Sequence, residues 1–313
     1  MRGLDICRAY YETYGAPMLK AQFPELLPLI AVGLFGSGSE CFGFDDEVSR
    51  DHDFEPGFCV LLPGEDKIDR RAAFLLERAC AKLPREFMGL KRGLVQPAGG
   101  ARRGVLRMAD FFAEKTGAPD GALTVRQWLT VPEHALAEAV NGEVFYDGPG
   151  ELTRIRAGLA RCPEDIRRKK LSGSLLMMAQ AGPYNYARCL AHGETGAAQL
   201  AAIEFVKHAM RAVFLLNGAW QPYYKWAFRA LRALPKLSLL AELMEYLLTT
   251  GNDGETAREK RGVMEGMMAD IIAELKAQGL TKAECGDLEQ HAFSVNDGIQ
   301  DAEIRNLHVL AGA

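Results

Sequence analysis

The spacing of apolar positions changes period repeatedly along the first third of the chain. Over residues 4–21, Leu4, Cys7, Tyr11 and Tyr14 recur at helical intervals, which predicts an amphipathic helix broken near Gly15-Ala16-Pro17. Leu29, Ile30, Val32, Leu34 and Phe35 then crowd into one run. It reads as a strand over 29–35, followed by a short helix at 39–43 and a second strand over 52–62 that Pro63-Gly64 ends. Residues 69–83 return to a helical period, with Ala72, Leu75, Leu76, Ala79 and Leu83 on one face and Arg70, Arg71, Glu77, Arg78 and Lys82 largely off it. A stripe of that kind covers a sheet. Residues 104–113 predict one more strand, running into a turn or helix.

From Leu123 onward the pattern is helical, over 128–140, 150–161, 164–181, 196–216, 223–234, 237–249 and 255–278. Val144-Phe145-Tyr146 interrupts it as a short strand, closed by the turn Asp147-Gly148-Pro149-Gly150. The fold class is therefore α+β, a small mixed-sheet domain over residues 1–150 followed by an α-helical bundle domain over 151–313. No Gly/Ser-rich or Pro-rich linker separates the halves, and no internal repeat is visible.

Composition narrows the function more than the fold. With 313 residues, 48% hydrophobic and 25% charged, the chain has an ordinary soluble make-up and room for two domains. A net charge of −4 argues against a broad basic face for nucleic acid, while leaving room for a local basic cleft. Seven scattered cysteines, with no Cys-x-x-Cys pair, suggest neither a disulfide framework nor a zinc site, and a reduced, cytoplasmic setting is expected. The chain opens on no basic-then-apolar leader, and the run from Phe23 to Phe35 is too short and too interrupted to cross a bilayer, so no membrane partner is expected.

The candidate chemistry sits where the first apolar run ends. Gly36-Ser37-Gly38-Ser39 can take left-handed backbone angles and bring N–H groups and two hydroxyls close to an anion. About a dozen residues later come Asp51 and Asp53. On a strand, side chains two apart share a face at roughly 7 Å, so the two carboxylates can converge on one cation with His52 turned away. Carboxylates without thiol or imidazole suit a hard, partly hydrated ion completed by substrate phosphates, Mg²⁺ before Zn²⁺. A phosphate cradle facing an acid pair implies a nucleoside triphosphate.

This order of motifs resembles the nucleotidyltransferase superfamily that includes DNA polymerase beta and the aminoglycoside nucleotidyltransferases: a Gly-Ser turn, a short helix, then Asp-x-Asp on a strand. The longer stretch GSGSECFGFDDEVSRDHD is similar to the bacterial family catalogued as domain of unknown function 4037, and the likeness continues into EVFYDGPGELTRIR (143–156) and QPYYKW (221–226). The resemblance implies transfer of a nucleoside monophosphate from an NTP to a hydroxyl of a small molecule or protein, with Mg²⁺ (or Mn²⁺) on Asp51 and Asp53 and phosphates on Gly36, Ser37 and Ser39. It also implies a third carboxylate from a later strand. Here that strand centres on Leu106-Arg107-Met108, and the nearest acid is Asp110.

In the second half, which the resemblance casts as a substrate or cap domain, Glu204 lies in a polar stripe with Lys207, His208 and Arg211. It is either part of a solvated face or, by the aminoglycoside-enzyme likeness, the base for the acceptor hydroxyl. Lys225, among Tyr223, Tyr224 and Trp226, either snorkels out of a core aromatic knot or holds the triphosphate. The alternative to an enzyme is a degenerate nucleotide-binding sensor or interaction module of the same fold.

Overall fold

A computed structural model describes residues 2–48, 55–92 and 103–313. The chain divides into two compact units, Met1–Gln127 with Val131–Arg161, and Trp128–Thr130 with Cys162–Ala313. The division falls after Arg161 rather than near residue 150. The reason is the helix over residues 151–159, whose Leu152, Ile155 and Leu159 are buried, Ile155 and Leu159 against Gly121 of the first unit.

In the first unit, α1 (Gly3–Tyr10) continues through a π-helical turn, Tyr11–Gly15, into α2 (Ala16–Gln22). The break expected at Gly15-Ala16-Pro17 is thus a widening, with the Ala16 N–H reaching back to Tyr11 O. Pro17, which has no N–H to give, enters just after it. A 3₁₀ turn, Leu27–Leu29, delays the first strand to β1 (Ala31–Leu34), and α3 (Ser39–Phe42) follows. Among the described residues the second strand is β2 (Cys59–Leu62); of the expected 52–62, residues 52–54 lie outside the described ones. Glu55–Phe58 stays outside it, since Pro56 cannot donate to a ladder.

Next comes α4 (Arg70–Ala81), capped by the Asp69 carboxylate accepting from Ala72 N at 2.7 Å. Its buried stripe is Leu76, Ala79 and Cys80, while Leu75, expected inside, is 50% exposed. A tight hairpin, β3 (Glu86–Phe87) and β4 (Leu90–Lys91), turns through Met88 and Gly89, both at positive φ. Then come β5 (Gly104–Arg107), α5 (Met108–Thr116), α6 (Val125–Thr130), α7 (Glu133–Val140), β6 (Glu143–Asp147) and α8 (Glu151–Leu159). The single helix expected over 128–140 is split because Val131, ahead of Pro132, is forced into an extended conformation at ψ 128°.

The sheet order is β5-β2-β1-β6, with β1 antiparallel to β2 and β6, and β2 parallel to β5. Gly33 pairs with Cys59, Leu34 with Glu143, and Cys59 with Gly104. That register brings the C-terminal end of β1 to the N-terminal ends of β2, β5 and β6. Tyr10, Leu19, Ile30, Val32, Val60, Leu62, Ile68 and Leu76 form one buried cluster. Each such side chain contributes about 1.5–3 kcal/mol by burial. The α+β class is thereby met.

The second unit is helical: α9 (Glu164–Ala179), α10 (Tyr186–Ala191), α11 (Thr195–Leu216), α12 (Tyr224–Arg232), α13 (Leu240–Thr249), α14 (Gly254–Ala277), α15 (Leu288–Asp297) and α16 (Ala302–Asn306). The central α9 packs on α11 and α15. It ends in a π-helical kink at Gly182, where a β-carbon would come within 2.7 Å of the Phe205 ring. Helices α15 and α16 lie beyond the last helical stretch expected from sequence.

Candidate functional site

The candidate site is the turn that leaves β1. Phe35, buried at the strand's end, meets Phe111 edge-on at 5.1 Å and anchors the turn's root. Gly36 follows at φ +101° and Gly38 at φ +131°, angles that side-chain-bearing residues rarely adopt. A β-carbon on Gly36 would meet nothing nearer than the Phe111 ring at 3.9 Å, so glycine is required there by conformation rather than by space. Ser39, nearly buried, opens α3, its carbonyl accepting from Phe44 N at 2.8 Å. A helix of four residues has little dipole, so any anion affinity belongs to the turn itself.

Asn141, from the loop before β6, holds the turn. Its Oδ1 accepts from Gly36 N at 2.8 Å, and its Nδ2 donates to Gly36 O at 2.8 Å. Gly142, at φ +66°, lies so close beneath that a β-carbon would come within 2.1 Å of Leu34 O, and its N–H donates to Cys41 O at 2.8 Å. Arg156 on α8 in turn donates to Val140 O at 2.8 Å and to Asn141 O, with its guanidinium 5.4 Å over the Phe35 ring. Burial lowers the Arg156 pKa to about 10.

A second buried cluster flanks the turn. Arg103, just ahead of β5, pairs with Glu40 on α3 at 3.3 Å and with Glu55 ahead of β2 at 3.7 Å. The Cys7 thiol on α1 donates to Glu55 O at 3.5 Å, and burial pushes the thiol pKa up, against the lowering influence of Arg103.

Of the residues named from sequence, Asp51 and Asp53 lie outside the described residues. Gly36 has its N–H committed to Asn141 and shapes the turn. Ser37 is half-buried. Asp110 is exposed in the first turn of α5, past the end of β5. In the second unit, Glu204 pairs with Lys207 at 2.9 Å and with His208 Nε2 at 3.6 Å. Lys225 is exposed, 5.0 Å from the centre of the Trp226 ring. Tyr223 and Tyr224 are exposed too, so that stretch is no core knot. Among the described residues, no group of three His, Cys, Asp or Glu side chains is placed to hold a metal ion.

Sequence reading did not single out Asn141, Arg156, Arg103, Glu40 or Glu55. Asn141-Gly142 carries a turn signal; nothing in the sequence marks its partner as Gly36.

A small mixed sheet with a Gly-Ser turn at the end of its first strand, joined to a helical unit, defines an α+β protein of the kind the sequence resemblance implied. Residues 128–227 match the family model described as domain of unknown function (DUF4037). Among solved structures, the chain is similar to a crystal structure of a nucleotidyltransferase-like protein from Exiguobacterium sibiricum 255-15, with 12% identity and a TM-score of 0.40 over 84% of this chain and 76% of that one. No curated protein matches. No described helix is long and apolar enough to cross a membrane.

Proposed function

We propose that this protein is a Mg²⁺-dependent cytoplasmic nucleotidyltransferase, which moves a nucleoside monophosphate from an NTP to a hydroxyl of a small molecule or protein and releases pyrophosphate. The observation that supports it best is the turn itself: two glycines at positive φ, directly after a buried strand, clamped by a side chain from the neighbouring strand's loop. A backbone fixed in that shape can receive a phosphate tail without reorganising. Ser37 and Ser39 would supply hydroxyl donors to the β and γ phosphates, with Gly36 holding the bend. Asp51 and Asp53 would hold the metal, which when bound offsets negative charge on the phosphate oxygens. Lys225 is a further candidate for the triphosphate, and Glu204 for the acceptor's proton.

Calorimetric titration of NTPs with Mg²⁺ into the wild type and Asp53→Ala, together with pyrophosphate release over a panel of acceptors, tests this. Binding that needs Asp53, with turnover, supports the reading; equal affinity in both proteins overturns it. One observation favours a second reading, a nucleotide sensor without turnover. Asp110, the candidate third carboxylate, is exposed on a helix instead of standing on the strand. Metal-dependent NTP binding without pyrophosphate release from any acceptor would favour that reading.

A further inference from the structure

A half-buried arginine stands at the root of the turn with only neutral hydrogen-bond partners. Arg156, on α8, donates from Nη2 to Val140 O at 2.8 Å and to Asn141 O. Its guanidinium lies 5.4 Å over the ring of Phe35, the residue directly before Gly36. Among the described residues, no carboxylate forms an ion pair with it, and its Nε and Nη1 make no hydrogen bond. The acids that flank the clamp in sequence are paired elsewhere: Glu138 with Lys115 at 2.8 Å, Glu143 with Arg8 Nε at 3.2 Å, and Glu40 with Arg103 at 3.3 Å.

Helix capping explains only part of this arrangement. Val140 is the last residue of α7 and Asn141 its C-cap, and a helix C-terminus carries about half a negative elementary charge. A neutral amide donor can serve such carbonyls too. The guanidinium brings a whole positive charge, which persists at neutral pH because burial lowers its pKa only to about 10. Part of that charge is left unmatched by the helix end, in a setting where water screens it less than at the surface. Keeping it there costs stability unless an anion comes to it. Asn141, whose backbone Arg156 grips, is also the residue whose side chain fixes Gly36, so charge and turn belong to one hydrogen-bonded piece.

We propose, on the nucleotidyltransferase reading, that Arg156 supplies the positive charge that makes the Gly36–Ser39 turn an anion site, one that takes the pyrophosphate end of a di- or triphosphate without a metal. The charge is in place before the ligand arrives and needs no reorganisation.

The test is the affinity of the full chain for pyrophosphate and tripolyphosphate in EDTA, by NMR titration, in wild type, Arg156→Lys and Arg156→Gln, with the amide hydrogen exchange of Gly36 followed in each. The glutamine can still donate to a carbonyl of the α7 end but carries no charge. Its affinity is expected to fall about tenfold, the effect of one unit charge on another over about 10 Å at an effective dielectric of about 20. The lysine is expected to keep most of the affinity, with Gly36 protected in both variants. Equal losses in the two variants, or a loss that comes only with lost Gly36 protection, is what a merely structural cap gives and overturns the proposal, as does an unchanged glutamine variant. Should Arg156→Gln not fold, wild type decides. Its Arg156 Nε–H signal, assigned by its disappearance in Arg156→Lys, is expected to move with tripolyphosphate until saturation, and a signal that stays in place overturns the proposal. A wild type with no metal-free affinity for either anion also overturns it, and leaves the nucleotidyltransferase reading to Mg²⁺-dependent NTP binding. Conversely, NTP affinity indifferent to Asp53→Ala defeats that reading and leaves Arg156-dependent polyphosphate binding standing.

Discussion

Gly36 and Asn141, separated by 105 residues in the chain, exchange two hydrogen bonds of 2.8 Å, the backbone N–H of one to the side-chain oxygen of the other and the side-chain amide back to the backbone carbonyl. An asparagine amide used this way imitates a strand neighbour, extending the β1–β6 pairing past Leu34↔Glu143 to the first residue of the turn. Asn141→Ala strands both backbone groups and is expected to cost about 2 kcal/mol. Asn141→Asp keeps the acceptor but turns a carboxylate toward the Gly36 carbonyl, so at neutral pH it is expected to cost at least as much. Urea denaturation of both variants checks this, and an Asp variant as stable as the wild type would refute the clamp.

Two glycines near that clamp differ in why they are glycine. Gly36→Ala would meet only the Phe111 ring at 3.9 Å, an ordinary contact, and carries the backbone strain of φ +101°, about 1–3 kcal/mol. Gly142→Ala carries its own positive-φ strain, at φ +66°, and in addition drives a methyl to 2.1 Å from Leu34 O and 2.8 Å from Phe35 Cα, backbone atoms that cannot step aside. The expected order of destabilisation is Gly142→Ala well above Gly36→Ala, measured by thermal or urea unfolding; the reverse order would contradict the packing described.

What the sequence made legible follows from the range of the interactions involved. The apolar run of β1, the short α3 and the helical period of α4 rest on neighbours within a few positions, and the sequence pattern reads those directly. Pro132 carries a local signal as well, yet the helical spacing around it masks the split it causes. The clamp on Gly36 and the Arg103 bridge to Glu40 and Glu55 are decided by strand register, which joins residues that no local pattern relates. Likewise α8 has the period of a bundle helix, and only its contact with Gly121 assigns it to the first unit. The acid pair remains a reading of sequence alone.

That reading has a stability signature of its own. Two carboxylates assigned to one ion repel each other in its absence, so Asp51→Asn and Asp53→Asn are expected to leave the metal-free melting temperature unchanged or slightly higher. Each variant is expected to lose the rise in melting temperature that Mg²⁺ with an NTP brings to the wild type, because only a ligand bound to the native state can cause one. Thermal-shift curves with and without Mg²⁺ and nucleotide check both halves. An undiminished rise in both variants would remove the two residues from the site.

In the second unit, His208 ties stability to pH. Its pKa is lowered from 6.5 to about 4, first by burial and then by Arg211, with Lys207 adding to this and Glu204 opposing it. Below pH 6.5 the unfolded chain takes up a proton that the folded chain refuses until about pH 4. Folding stability is therefore complete above the unfolded value and declines as pH falls through this window. The loss from this group is on the order of 3 kcal/mol at most. His208→Gln, which cannot titrate, is expected to flatten this acid limb in urea melts taken from pH 7 to pH 4; an unchanged slope would mean that the imidazole is charged in the folded protein.

Two fully buried lysines offer a sharper test of hydrogen-bond accounting, because both replace carboxylate partners with neutral oxygens. Lys260 Nζ donates to Gln199 Oε1, Asn252 Oδ1 and Thr250 O at 2.9, 3.0 and 3.2 Å. Two of these acceptors have a second donor, Asn252 Nδ2 for Gln199 Oε1 and the Tyr186 hydroxyl for Asn252 Oδ1. Lys169 Nζ donates to Asn296 Oδ1, Leu307 O and Arg305 O at 2.7, 2.8 and 3.1 Å, and of these Arg305 O also accepts from Asn296 Nδ2 at 3.4 Å. Replacing either lysine by methionine removes the cost of a buried charge, while each acceptor left without a donor costs about 1–3 kcal/mol. Lys260→Met is therefore expected to lie near the wild type in stability and Lys169→Met clearly below it. Urea midpoints of the two variants decide the matter, and a Lys260→Met protein that is the less stable of the pair would show that the ammonium charge, rather than the satisfaction of its acceptors, governs these sites.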